Sequence, residues 1–146
     1  VKWYLIWSTE RLIPRVEEAG DLLGSQLIVH KSIRIIVEIY FLQHKQYKPY
    51  DKWLGSTFKN IDTHHFFENT ILEITSSKDI KYQIELLQRM LFQLGNYHNT
   101  LSLSRFVEPK ITEYEVGVNN AIRPYLIFNS SDYKDARIEK LAGQYK

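Results

Sequence analysis

Residues 22–45 read LLGSQLIVHKSIRIIVEIYFLQHK, and polar side chains recur in them at Gln26, His30, Arg34 and Glu38. A spacing of four draws one narrow wet stripe along an otherwise apolar cylinder, which predicts a central helix buried on most sides. The competing signal is the β-branched run Ile33, Ile35, Ile36, Val37 and Ile39, which favours a strand. The stripe has period four rather than two, and Arg34 and Glu38 stand at i,i+4, where a helix lets them pair. Helix is therefore the reading.

Working outward, the cleanest second helix follows Ser76-Ser77-Lys78-Asp79, where Ser76 with Asp79 resembles a capping box. Its apolar stripe runs Ile80, Ile84, Leu87, Leu91, Leu94 and Leu101, and the next position after Leu94 is His98, a histidine where the pattern wants a core residue. Shorter helices are expected over 3–15, over 50–59 behind Pro49, and over 64–74 with Asp62 or Thr63 as cap and Phe67, Ile71 and Ile74 facing inward. Beyond Leu103 the pattern loosens at Pro109, Gly117 and Pro124, so 106–129 reads as an irregular segment. Within it, 125–128 forms a short strand or an apolar plug, and Asn129 to Asp132 offer caps for a last helix reaching about Ala142. The expected fold is one all-α domain over 1–146, a bundle of about four to six helices with an irregular C-terminal segment.

With 146 residues and 44% apolar composition, the chain has material for a single core. Lys and Arg number 19 against 17 Asp and Glu, so the net charge of +2 argues against a general nucleic-acid binder, and any electrostatic function must be local. Zero cysteines exclude disulfides, Cys-ligated metals and thiol catalysis, and fit a cytoplasmic protein. The most apolar stretch is cut by Arg34 and Glu38, so no membrane span is expected. The sequence begins at Val1 and runs at once into Trp3, Tyr4, Leu5, Ile6 and Trp7, as if a helix had been entered midway; it is expected to be a piece of a longer protein.

Charge does concentrate in one place. Over 30–60 there are six Lys and Arg (31, 34, 45, 48, 52 and 59) against Glu38 and Asp51. At the centre of that stretch Lys45, Tyr47, Tyr50, Lys52 and Trp53 interleave cations with flat aromatic faces, a combination that holds a phosphate and stacks a base or sugar. Two plainer roles compete: Lys45 and Lys48 as cations opposing a helix C-terminal dipole, and Trp53 with one tyrosine as core. His98 with Asn99 is the second candidate, either a satisfied buried pair or a binding group pointing into a cavity. Glu17, Glu18 and Asp21 make an acidic cluster beside Gly20 and Gly24, glycines that let another helix approach closely.

Catalytic machinery is not legible. His64 and His65 are adjacent rather than i,i+4, so they do not share one metal, and there is no phosphate loop, nucleophile elbow or Asp-x-Asp. Glu113 and Glu115 are the only carboxylates spaced one residue apart, and they read as a surface pair. No catalytic residue, metal ligand or cofactor is assigned to this chain.

The runs Gly20-Asp21-Leu22-Leu23-Gly24-Ser25-Gln26-Leu27-Ile28 and Tyr47-Lys48-Pro49-Tyr50-Asp51-Lys52-Trp53-Leu54-Gly55-Ser56-Thr57-Phe58 resemble a helical C-terminal domain, itself of unassigned function. That domain follows a minimal nucleotidyltransferase domain in a group of bacterial proteins. The resemblance spans about 3–101, and Tyr97-His98-Asn99 is similar to a His-Asn corner of the same domain; Gln26 stands where the family often has a basic residue. The resemblance implies a division of labour. An upstream nucleotidyltransferase domain in the parent chain would bring the catalytic Gly-Ser and Asp-x-Asp elements, with Mg and a nucleoside triphosphate, while this domain recognises a nucleotide or small-molecule acceptor. Lys45 and Lys52 would meet phosphates, Tyr50 and Trp53, beside Tyr47, would stack on a ring, and His98 and Asn99 would bond the acceptor or stiffen the wall.

Two alternatives stand beside this. A protein-interaction bundle without a small ligand predicts a large exposed apolar patch, where a binding domain predicts a concave pocket near Trp53. A toxin-like helical ribonuclease wants an Arg closely followed by His on one helix, but eight residues separate Arg89 from His98 and nine separate Arg34 from His44.

Overall fold

Proline divides the N-terminal arm. The single helix expected over 3–15 is two, α1 (Lys2–Glu10) and α2 (Ile13–Glu18), with Pro14 in the first turn of α2. Proline has no N–H to extend a helix, but the first turn needs none. The computed structural model describes residues 2–10, 12–103, 106, 115–116 and 122–123. Among them are six helices, completed by α3 (Leu22–Gln43), α4 (Asp51–Ile61), α5 (Phe66–Ser76) and α6 (Ile80–Thr100). The fold is all-α. Two-residue strands β1 (Glu115–Val116) and β2 (Ile122–Arg123) pair antiparallel, Glu115 opposite Arg123. Apart from these and Phe106, the irregular segment 106–129 lies outside the described residues, as do the 125–128 run, the last helix, and Glu113 of the surface pair.

α3 is the axis, at 22 residues about 33 Å long. Asp21 caps it by accepting the Gly24 N–H at 2.7 Å. Val29, Ile36 and Phe41 are fully buried, so the β-branched run sits in a helix because the surrounding helices pack on it. The polar stripe is engaged as its spacing foretold, with Arg34 Nε 3.5 Å from Glu38 and Gln26 bonded to Gln83 of α6. Apolar side chains stay exposed at Leu22, Leu23 and Leu27 in the first turns and at Leu42 in the last.

Side-chain links fix the directions. Lys2 meets Glu38, near the end of α3, while Val16 lies where a Gly24 Cβ would stand 2.8 Å from it, so α1 and α2 together run antiparallel to α3. Gly24 has no room for a side chain, since a Cβ there would meet the capping Asp21 carboxylate as well as Val16 of α2. α4 crosses the second half of α3, its start joined to Arg34 through Asp51 and its end to Tyr40, whose hydroxyl donates to the Ile61 carbonyl at 3.3 Å. α6 runs parallel to α3, with Gln83 beside Gln26 and the Leu94 carbonyl accepting Gln43 Nε2 at 2.9 Å.

Two helix starts differ from expectation. α5 begins at Phe66, not 64, because His65 takes a left-handed φ of 54° as its N-cap; Asp62 still serves the helix by accepting the Glu68 N–H at 2.7 Å. At α6 the cap is Asp79 itself, accepting from Lys81 and Tyr82, while Ser77 rather than Ser76 receives the Asp79 N–H. The predicted stripe of α6 is otherwise the core: Ile80, Ile84, Leu87, Leu91 and Leu94 are buried, and Leu101 caps the end. Among the described residues no helix is long and apolar enough to cross a membrane.

Candidate functional site

The basic, aromatic stretch begins where α3 stops. Gln46 N–H bonds the Phe41 carbonyl at 2.9 Å and Lys45 N–H that of Leu42 at 3.1 Å, a Schellman closure whose left-handed residue is Lys45, φ 56°. α2 ends by the same closure, Asp21 to Val16 and Gly20 to Glu17, but with Gly20 in the left-handed place. A lysine therefore occupies a conformation that glycine adopts without strain.

Chain reversal through 44–50 brings Lys48 back against α3. Lys48 lies 3.8 Å from Glu38 and 3.1 Å from Asp51, which also takes Arg34. Burial works to raise the pKa of Glu38, but the Lys2 hydrogen bond and the charges of Lys2 and Lys48, aided by Arg34, outweigh it and hold the carboxyl below its ordinary value. Hydrogen bonds from Lys48 and Arg34 hold Asp51 low as well. Lys59 bonds Glu68 at 3.0 Å, and that bond, with one from His65, lowers Glu68. Half of the six cations are thus spent on carboxylates. Among the described residues no carboxylate pairs with Lys31, Lys45 or Lys52.

The aromatic residues of the stretch are on the surface. Tyr47 is 95% exposed, Tyr50 77% and Trp53 57%, which removes the reading of Trp53 and a tyrosine as core. The Lys52 ammonium sits 5.0 Å from the Trp53 ring centroid, a cation–π pair in water. Lys45, Tyr47, Tyr50, Lys52 and Trp53 are therefore all exposed, along the chain from the end of α3 into the first turn of α4.

His98 and Asn99 lie at the end of α6. His98 is half-buried and meets Trp3 edge-on at 5.8 Å, so it faces α1. The carbonyls of His98 and Asn99 accept from Leu101 and Ser102 and close the helix. Its neighbour Tyr97 makes the link to α3, stacking on His44 at 4.9 Å, which in turn stacks on Tyr40 at 4.1 Å. Burial, with the charges of Asp62 and Tyr97, pushes the Tyr40 phenol up to about 12, so it stays a hydrogen-bond donor. His44 and Tyr40 are members of this corner that sequence reasoning missed. Their i,i+4 spacing was the available signal, since Nδ1 of His44 also bonds the Tyr40 carbonyl at 2.8 Å.

Between α3, α4 and α5 lies an open groove of about 370 Å³. Ile33 and Val37, Leu54 and Phe58, and Ile71 and Leu72 give it apolar walls. Lys59 and Glu68 also line it.

Residues 1–54 are similar to a family described as a domain of unknown function, DUF4037. The matched stretch takes in α1 to α3 and the first residues of α4, and so includes Lys45, Tyr47, Tyr50, Lys52 and Trp53. No curated protein and no solved structure matches the chain.

Proposed function

We propose that this chain is the recognition domain of a nucleotidyltransferase-like protein of the bacterial cytoplasm. It binds a nucleotide or another anionic acceptor on the surface of Lys45, Tyr47, Tyr50, Lys52 and Trp53. Catalysis, with Mg and a nucleoside triphosphate, belongs to a nucleotidyltransferase domain upstream in the parent chain. The observation that carries the reading is the Lys52–Trp53 pair beside exposed tyrosines, in a stretch whose other cations are largely taken by carboxylates.

The magnitudes favour exchange. An exposed cation–π pair is worth about 0.5–1 kcal/mol. An exposed ion pair is worth about as much, roughly 0–1 kcal/mol, so the Lys52 ammonium passes from indole to phosphate at little cost. The freed ring then stacks on the base, adding about 1–3 kcal/mol. Lys45 supplies a second cation. His98 and Asn99 stiffen the neighbouring wall through Trp3 and the end of α6.

Titration of the chain with ATP, read by the Trp53 indole resonance, tests this. Saturable broadening or shift of that resonance is expected, and an indole that does not respond at millimolar ATP contradicts the reading.

A second reading, a protein-interaction bundle, is favoured by one specific observation: Leu22, Leu23 and Leu27 are each more than half exposed at the start of α3. It predicts that Leu23→Ser with Leu27→Ser abolishes capture of a partner while nucleotide binding stays as it was.

A further inference from the structure

We propose that the exposed leucine face at the start of α3 pairs with the same face of a second copy of this chain, the two helices antiparallel about a twofold axis level with Ser25, a pairing that rests on the reading of Leu23 and Leu27 as an interaction surface and names its partner.

The face is charged at its two ends and apolar between them. Leu23, Leu27 and Lys31 recur at i, i+4 and i+8, on one stripe of α3. Leu23 is 71% and Leu27 63% exposed, and Lys31 is exposed beyond them. Ahead of Leu23, the turn out of α2 carries Glu18 and Asp21, which are exposed as well. Asp21 caps α3 through the Gly24 N–H. Among the described residues, however, no cation pairs with Glu18 or Asp21 and no carboxylate pairs with Lys31.

Self-complementarity follows from the order of the charges. A stripe that runs acid, leucine, leucine, lysine meets its own complement when turned end for end, the arrangement of an isologous dimer. At 1.5 Å per residue, Leu23 and Leu27 stand about 3 Å to either side of Ser25, so Leu23 of one copy faces Leu27 of the other. Lys31 stands about 9 Å from the axis and Asp21 about 6 Å on the other side, with Glu18 in the turn beyond. Each lysine thus reaches the acidic end of the other copy. A parallel pairing would instead set lysine against lysine and acid against acid.

Two leucines a side fall well short of the roughly 800 Å² per partner of a standard interface, so the dimer is weak and forms as concentration rises. Lys45 lies about 30 Å from the axis along α3, which leaves the recognition surface open in the dimer.

Sedimentation velocity of the whole chain, from micromolar to millimolar concentration at low salt, tests the pairing. A reversible monomer–dimer equilibrium is expected, and Leu23→Ser with Leu27→Ser abolishes it. Lys31→Glu weakens it at least about tenfold, and Glu18→Lys weakens it too, because each sets like charges together at both ends of the interface. An equimolar mixture of those two variants recovers the dimer, since one end keeps its native pairing and the other has both charges reversed. All four positions are exposed, so the variants keep the fold. A wild-type chain that stays monomeric, a dimer indifferent to Lys31→Glu, or a mixture that does not recover overturns the proposal. A monomeric chain that still binds a different protein through Leu23 and Leu27 overturns it while the interaction reading stands.

Discussion

Gln26 of α3 and Gln83 of α6 face each other amide to amide. Gln26 Nε2 donates to Gln83 Oε1 at 2.9 Å, and Gln83 Nε2 lies 3.1 Å from Gln26 Oε1. The same Gln83 nitrogen reaches the carbonyls of Ile74 at 2.9 Å and Ser77 at 2.7 Å, where α5 ends. One fully buried amide thereby clips three helices together. Removing it leaves buried acceptors unpaired, so Gln83→Ala is expected to destabilise by about 2–3 kcal/mol. Gln26→Ala is expected to cost about 1 kcal/mol, because water reaches that partly exposed position. Urea unfolding midpoints check both, and equal costs would show that the pair does not act through burial.

Lys45 gives a prediction of opposite sign. Its left-handed φ is one that glycine takes freely, so Lys45→Gly is expected to stabilise the fold by about 0.5–1 kcal/mol, raising Tm by a few degrees. The same change removes a cation from the recognition surface and is expected to weaken ATP binding. A variant both more stable and poorer at binding would mark Lys45 as a residue kept for function. Lower stability would mean that its side chain supports the fold.

Acid sensitivity follows from Glu38, Asp51 and Glu68, all held below their ordinary values in the folded chain. A depressed carboxyl binds its proton less readily when folded than when unfolded. Its stabilisation is therefore complete above the ordinary value, 4.5 for Glu38, and is lost as pH falls below it through the folded value. Glu38 is the least exposed of the three and ties α1 to α3 through Lys2. Glu38→Gln is expected to flatten the loss of stability between about pH 5 and pH 3, measured by thermal melts across that range. An unchanged acid slope would show that the Lys2–Glu38 pair is not formed in solution.

Much of this bundle is written in periodicity. The four-residue recurrence of Gln26, His30, Arg34 and Glu38 marks α3, and the stripe from Ile80 to Leu94 marks α6 with its buried face correct. Pro14 also carries its signal, a helix break that an expectation of one helix over 3–15 passes over. What does not show is nonlocal or conformational. Lys2 and Glu38 are 36 positions apart and Arg34 and Asp51 are 17 apart, so both pairings need the fold. Left-handed Lys45 and His65 are invisible because neither is glycine. Trp53 is as much a core residue as a surface one by composition, and only its 57% exposure decides. The groove depends on how three helices meet around Gly55, and no single stretch encodes that.

The recognition surface itself is tested most directly by the dissociation constant of ATP for the wild-type chain, Lys52→Ala and Trp53→Ala, at low and high salt. Both residues are exposed, so Tm is expected to stay within about 2 °C of wild type, in keeping with surface changes of about 0.5 kcal/mol. Each substitution is expected to weaken ATP about tenfold, and salt to weaken wild type more than Lys52→Ala. ATP affinity unchanged in both folded variants would contradict the account.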